Sequence, residues 1–289
     1  MAASLPSSRS KVVTTLLVAP AGLFFLFLLI LPLIVVIIYS FGARAEAGGY
    51  APAFTFDNYA NLPARGQAFI NTLTLAPLGT LLTVLFAYPL AYFLAVKANE
   101  RLRTLLLVLV IVPFWTSQLL RYYAWIMILG SKGIPSWLAW IGMTDVRIIN
   151  TPWAVLIGAV YGFLPLMVLP IYVSLEKLDK RLLEASADLG ADAPRTFWQV
   201  TLPLSLPGVA TGSMLVFILL MGEYILPQLL GGGKVFFIGN ALVDLFLQSR
   251  NWPFGAAVST ALVAIMFVTI AVYMRFVLSR GDTRRAALV

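Results

Sequence analysis

The stretch EASADLGADAPRTFWQVTLPLSLPG, Glu184–Gly208, packs three acids, an arginine and a glycine into its first half, although an uncharged apolar run ends shortly before it and another begins inside it. Its start belongs to a helix. Along Lys180–Leu189, the residues Leu182, Leu183, Ala185, Ser186 and Leu189 fall mostly on one face, with the charges opposite. Gly190 ends that helix, because glycine enters the left-handed region without a Cβ penalty. Asp192 is placed to cap a second helix, and Pro194 is tolerated in its first turn, where no N–H is needed. Pro203 and Pro207 are expected to stop or bend this second helix. The stretch therefore reads as two short polar helices around a glycine hinge, with small residues at 185–187 that let another surface come close.

On either side, runs without charge show where the chain can cross a bilayer: Val12–Ala43, Gly66–Val96, Thr104–Leu120, Ile148–Leu175, Thr196–Gly222 and Asn251–Met274. A spanning helix needs about 20 mainly apolar residues, which five of the runs exceed. The third is short and is expected to continue past Arg121 into Tyr122–Leu129, its arginine reaching the headgroups. The first run is preceded by Arg9 and Lys11, and Ala43-Arg44-Ala45 resembles a cleavage site. Its apolar core is longer than the ~7–15 residues of a signal peptide, so it is expected to remain as a span. The fold class is thus an all-α integral membrane protein with six transmembrane helices. Its spans occupy 12–279, its tails 1–11 and 280–289, and its polar loop 176–203. With the N-terminus inside, both termini are cytoplasmic and most of the 20 Lys and Arg fall on inner segments: Lys97, Arg101, Arg103, Lys177, Lys180, Arg181, Arg195 and Arg275 join those of the tails.

Composition narrows the chemistry. The chain is 61% hydrophobic and 11% charged over 289 residues, whereas soluble domains carry about 25% charged residues. It has no cysteine and no histidine, which removes disulfides, thiol nucleophiles, the usual zinc ligand sets and histidine acid–base catalysis. The sequence pI of 9.8 reflects a basic inner face at the bilayer rather than nucleic-acid binding. Gly233-Lys234 is not a phosphate loop, because Val235 follows the lysine and no glycine stands five residues before Gly233. Two outer segments are expected to pack externally or re-enter: Gly130–Asn150, with Trp137 and Trp140 on one helix face, and Gly231–Phe254, with the amphipathic piece NALVDLFLQ.

The hinge stretch carries a specific resemblance. Glu184-Ala185-Ser186, Gly190 and Val200-Thr201-Leu202-Pro203 match, in order and spacing, the pattern E-A-A-x3-G-x9-I-x-L-P of permease subunits of binding-protein-dependent ABC importers. Ser186 stands for alanine and Val200 for isoleucine. The six-span layout is similar to that of this family, the type I importer permeases, over essentially the whole chain. The resemblance implies that Glu184, Ala185, Ser186, Asp188, Gly190, Leu202 and Pro203 form a coupling helix seated on an ATP-binding subunit. It further implies a dimer of such subunits holding ATP and Mg, a second permease subunit, usually a different chain, and a periplasmic or lipid-anchored solute-binding protein. No cofactor is expected on this chain. RYYAW (Arg121–Trp125), GEYILPQLLGG (Gly222–Gly232), IGN (Ile238–Asn240) and WPFGAA (Trp252–Ala257) resemble the spermidine/putrescine branch. Relatives that carry amino-acid derivatives, opines, phosphonates, thiamine or iron share these stretches.

Glu223 precedes the expected end of the fifth span. An ionised group there costs about 2.5–3.5 kcal/mol on insertion scales and so faces a cavity or a partner. Two readings stand side by side: a path-lining acid suited to a cationic solute, or an interhelical contact, for instance with Arg121. Tyr224, Arg121, Trp125 and Asp244 complete the candidate path, although Asp244 reads more simply as solvated surface and Arg121 as an anchor. Trp115, Tyr122, Tyr123, Trp125 and Trp252 suit an aromatic belt better than an ammonium cradle. Two rival functions remain. A self-sufficient carrier needs an internal ion site, yet leaves the hinge pattern unexplained; an intramembrane enzyme needs paired carboxylates or a Ser/His set, which the chain lacks.

Overall fold

The computed structural model describes residues 8–286, with side chains at 16–275 other than 180. Residues 1–7 and 287–289, the outer parts of the two expected tails, lie outside the described residues. Helices dominate, and the chain divides into two compact units.

One unit comprises residues 1–63 and 244–263. Its first span, α1 (Leu16–Ser40), has none of its apolar window buried, as suits a helix apolar on every side. Past its end, a short antiparallel ribbon pairs Ala43 with Ala51 and Arg44 with Tyr50. The ring of Tyr50 stacks on Tyr39 at 4.1 Å. Arg44 Nη2 donates to the Ser249 carbonyl (2.8 Å), and the Gly49 N–H donates to that of Arg250 (2.7 Å). The ribbon is thereby stapled to the residues that lead into the last span.

The other unit comprises 64–243 and 264–289. Its core is a bundle of three helices: α2 (Leu62–Lys97), α6 (Pro152–Glu176) and α8 (Ala193–Met221). Between α2 and α6 lie α3 (Glu100–Trp115), α4 (Gln118–Leu129) and α5 (Ile134–Trp140). The polar loop supplies α7 (Lys180–Asp188), and α9 (Ile225–Leu230) follows α8; α10 (Ile238–Gln248) and α11 (Trp252–Ala286) have residues in both units. Helix α6 is central, with 61% of its apolar window buried. Small residues make this possible. A Cβ on Gly208 of α8 would strike the Pro170 carbonyl and approach the Ser174 Cβ of α6 to 2.5 Å, and one on Gly212 would meet Met167 Sδ at 2.8 Å. Close glycine-mediated contact is how apolar helices gain attraction when lipid is as apolar as their neighbour. Gly208→Val is therefore expected to cost about 1–3 kcal/mol through overpacking, read as a lower unfolding temperature of the detergent-solubilised chain.

Two expectations change. The third span is not continuous: α3 and the helical segment after it are bent by 98° at Thr116-Ser117. Pro113 supplies no N–H, both Thr116 and Ser117 adopt extended backbone, and the Thr116 N–H and hydroxyl turn back onto the Pro113 carbonyl. Arg121 thus stands beyond the bend, not within a straight span. Nor do Pro203 and Pro207 stop the second loop helix, which runs on as α8 to Met221. A five-residue π-turn, Phe197–Thr201, precedes Pro203. It widens the helix where the proline ring would otherwise meet a carbonyl one turn back.

Candidate functional site

The polar loop is built almost wholly from its own capping chemistry. Asp179 caps α7 by accepting the Arg181 N–H at 3.0 Å. At its other end the Gly190 N–H reaches the Ala187 carbonyl (2.9 Å) and the Ala191 N–H that of Ser186 (3.1 Å), a Schellman closure. Gly190 has φ 78°, a conformation that costs another residue about 1–2 kcal/mol. Asp192 then accepts the Arg195 N–H at 2.9 Å and starts α8. One bond was not legible beforehand: Ser186 Oγ lies 2.9 Å from Thr196 Oγ1, tying the two helices together across the hinge. The serine that stands where the family pattern has alanine thus does more than stay small.

This loop shows its apolar stripe to the outside. Leu189 is 89% exposed and Leu182 46%, while Glu184, Ala185 and Asp188 are also exposed. Between the stripe and the first turns of α8 lies an open concavity of 800 Å³, lined by Leu182, Ala185, Ser186, Leu189, Val200 and Pro203 among others. Leu202 is half-buried beside it. Fully covering a leucine gains about 1.5–3 kcal/mol, and this capped helix leaves that gain unrealised at Leu189 and in part at Leu182.

The second cluster forms where α8 ends. Glu223 is not inside the fifth span: the helix stops at Met221, and Glu223 lies in the break before α9. Its Oε1 accepts the N–H groups of Tyr224 (3.2 Å), Ile225 (3.0 Å) and Leu226 (3.2 Å), capping α9 with a carboxylate at the positive end of its dipole. Its Oε2 lies 3.5 Å from Gln118 Nε2, which also donates to the Tyr122 hydroxyl at 2.7 Å. Asn240 closes the break from the far side, donating to the Tyr224 carbonyl (2.8 Å) and to Gln228 Oε1 (3.2 Å) while accepting the Phe237 N–H (3.1 Å).

Other candidates separate from it. Among the described residues Arg121 makes no ion pair with Glu223; its guanidinium lies 5.6 Å from the Phe114 ring centroid and its Nε is buried without a hydrogen-bond partner. Trp125 meets Tyr161 edge-on at 5.4 Å. Tyr224 is half-exposed, whereas Tyr122 is fully buried and so belongs to neither a belt nor an ammonium cradle. Asp244 stands in the other unit, half-buried at the start of a π-turn. No group of three or more acidic, cysteine or histidine side chains able to hold a metal occurs among the described residues.

Comparison with known proteins shows the family of the chain. Residues 87–281 match the family model described as the binding-protein-dependent transport system inner membrane component. The chain is 43% identical over 273 residues to the spermidine/putrescine transport system permease protein PotB of Salmonella typhimurium (strain SL1344), which covers 93% of this chain and 94% of that protein. It is 44% identical over 250 residues to the protein of the same name in Escherichia coli (strain K12), 85% of this chain and 90% of the other. Among solved structures, a chain of a bacterial ABC transporter involved in the import of the acidic polysaccharide alginate superposes with a TM-score of 0.73 at 19% identity, covering 93% of this chain and 95% of that one. The same fold recurs, with a TM-score of 0.72, in the alginate transporter in complex with its pentasaccharide-bound periplasmic protein.

Proposed function

Since the chain belongs to the family of binding-protein-dependent transport system inner membrane components, we propose that it is the membrane-spanning subunit of an ABC importer for a polyamine such as spermidine or putrescine. The observation that carries the mechanism is the loop: a short helix, fixed at both ends by caps, with its apolar stripe open to a partner. An ATP-binding subunit seated on Leu182, Ala185 and Leu189 would move α7 as its nucleotide site closes. Because α8 continues from the hinge to Met221, interrupted only by the π-turn at Phe197–Thr201, that movement is carried along one helix. The chain carries no phosphate loop, so ATP and Mg belong to the partner dimer, and the loop lies on the cytoplasmic side with both termini.

A second permease subunit completes the solute path, and a periplasmic or lipid-anchored binding protein delivers solute to its outer end. A polyamine is a chain of ammonium groups joined by short methylene segments. Glu223 and Tyr224 offer a carboxylate and an aromatic face at the outer break, the chemistry such a solute requires. Alternating access follows from the partner: closure of its nucleotide site moves α7 and α8 and turns the path from the outer to the inner side.

The test is to extract the tagged chain gently from its own membrane and identify its companions by mass spectrometry. An ATP-binding subunit and a solute-binding protein are expected in the complex, and vesicles holding it are expected to take up labelled spermidine or putrescine with ATP. A chain that purifies alone and transports without ATP would overturn the proposal. An ATP-driven complex that refuses both amines would move the solute to another class.

A further inference from the structure

Just beyond the hinge, the Phe197 ring stands between two tyrosines of α2. It meets Tyr88 at 5.7 Å and 89°, and Tyr92 at 6.1 Å and 84°, both edge-on. Tyr88 is buried, and its hydroxyl lies 2.8 Å from Oγ of the fully buried Ser205. Ser205 Oγ donates its one proton to the Leu202 carbonyl at 3.0 Å, so Tyr88 is the donor to Ser205. One tyrosine of α2 is therefore held twice by α8, once at the π-turn and again two turns on.

We infer that Phe197, clasped by Tyr88 and Tyr92, is a positioning residue that carries movement of the loop into α2, so that α2 and α8 shift as a pair. This rests on the coupling role proposed above. The placement supports it in two ways. Phe197 is the first residue of the π-turn, where a helix has one residue too many and its register is most easily changed. A hydrogen bond between buried hydroxyls resists sliding, because breaking it strands both groups away from water.

The experiment uses the whole complex, with its ATP-binding subunit and binding protein, in lipid nanodiscs. The chain has no cysteine, so it can be spin-labelled at the introduced cysteines alone before it is assembled with its partners. One pair, Arg181→Cys with Trp153→Cys, reports the loop against the start of α6; the other, Leu85→Cys with Trp153→Cys, reports α2 against the same point. All three positions are exposed. On ATP binding both distances are expected to shift. In Phe197→Ala the loop distance still shifts and the α2 distance does not, and solute moved per ATP falls about tenfold, the size expected when a coupling contact is removed. Phe197→Tyr, which keeps the ring, restores both. Tyr88→Phe keeps every ring and loses only the hydroxyl, so it folds if Phe197→Ala does not; it is expected to weaken the α2 shift while sparing the loop shift. An α2 distance that still shifts fully in both Phe197→Ala and Tyr88→Phe would overturn the clasp. A loop distance that fails to shift in the parent would instead overturn the coupling role itself.

Discussion

Gly190→Pro is expected to abolish ATP-driven uptake while the chain still inserts into the membrane and retains its spans. The effect follows from two features of the hinge. The backbone there sits at φ 78°, which proline, locked near −65°, cannot adopt. Proline also removes the N–H that closes α7 onto the Ala187 carbonyl at 2.9 Å. The Schellman closure opens, the Ser186–Thr196 bond loses its geometry, and α7 no longer holds a fixed angle to α8. Gly190→Ala is the milder companion. A Cβ at this position would meet nothing within 4 Å, so its penalty is the left-handed backbone alone, about 1–2 kcal/mol. Retained uptake is expected for alanine and loss for proline, with equal amounts of both in the membrane. Normal uptake by the proline variant would remove the loop from the coupling mechanism.

The hinge was open to inspection in the sequence because capping is local. Gly190, Asp192 and Pro194 each act through bonds within a few residues, so spacing alone identifies the caps that form. Five spans were equally legible, since charge-free length suffices to mark them. Failures of the sequence reading share a cause: they depend on partners distant in the chain or on backbone that leaves the usual ladder. At Thr116 and Ser117 the helix breaks three residues after a proline, yet Pro165 and Pro170 lie inside α6 without ending it. Composition cannot separate those outcomes. Ser205 looks like any small residue until Tyr88, 117 positions earlier, is folded against it. Glu223 reads as an acid in a span because its surroundings are apolar. That the span has already ended, and that three amide groups wait for its carboxylate, is set by the turn at Gly222.

Substitution of Glu223 separates the two roles its position allows. In Glu223→Ala three N–H groups at the start of α9 lose their acceptor; the Tyr224 N–H is exposed, but those of Ile225 and Leu226 are part-buried, and a donor buried without a partner costs about 1–3 kcal/mol. The break between α8 and α9 should then lose its shape, and with it both assembly and uptake. In Glu223→Gln the side-chain carbonyl still accepts from those donors. Its new amide group faces Gln118, whose own amide can rotate and accept from the Tyr122 hydroxyl instead of donating to it. The joint survives; the charge does not. The glutamine variant is therefore expected to assemble like the parent but to require roughly tenfold more spermidine for half-maximal uptake, the equivalent of about 1.4 kcal/mol of lost attraction for an ammonium group. Uptake kinetics separate the cases because the cap acts on how much complex forms, whereas the charge acts on how it fills. Should glutamine match the parent at every spermidine concentration while alanine fails to assemble, Glu223 would be a helix cap alone, and the acid that meets the solute would come from Asp244 or from the second permease subunit.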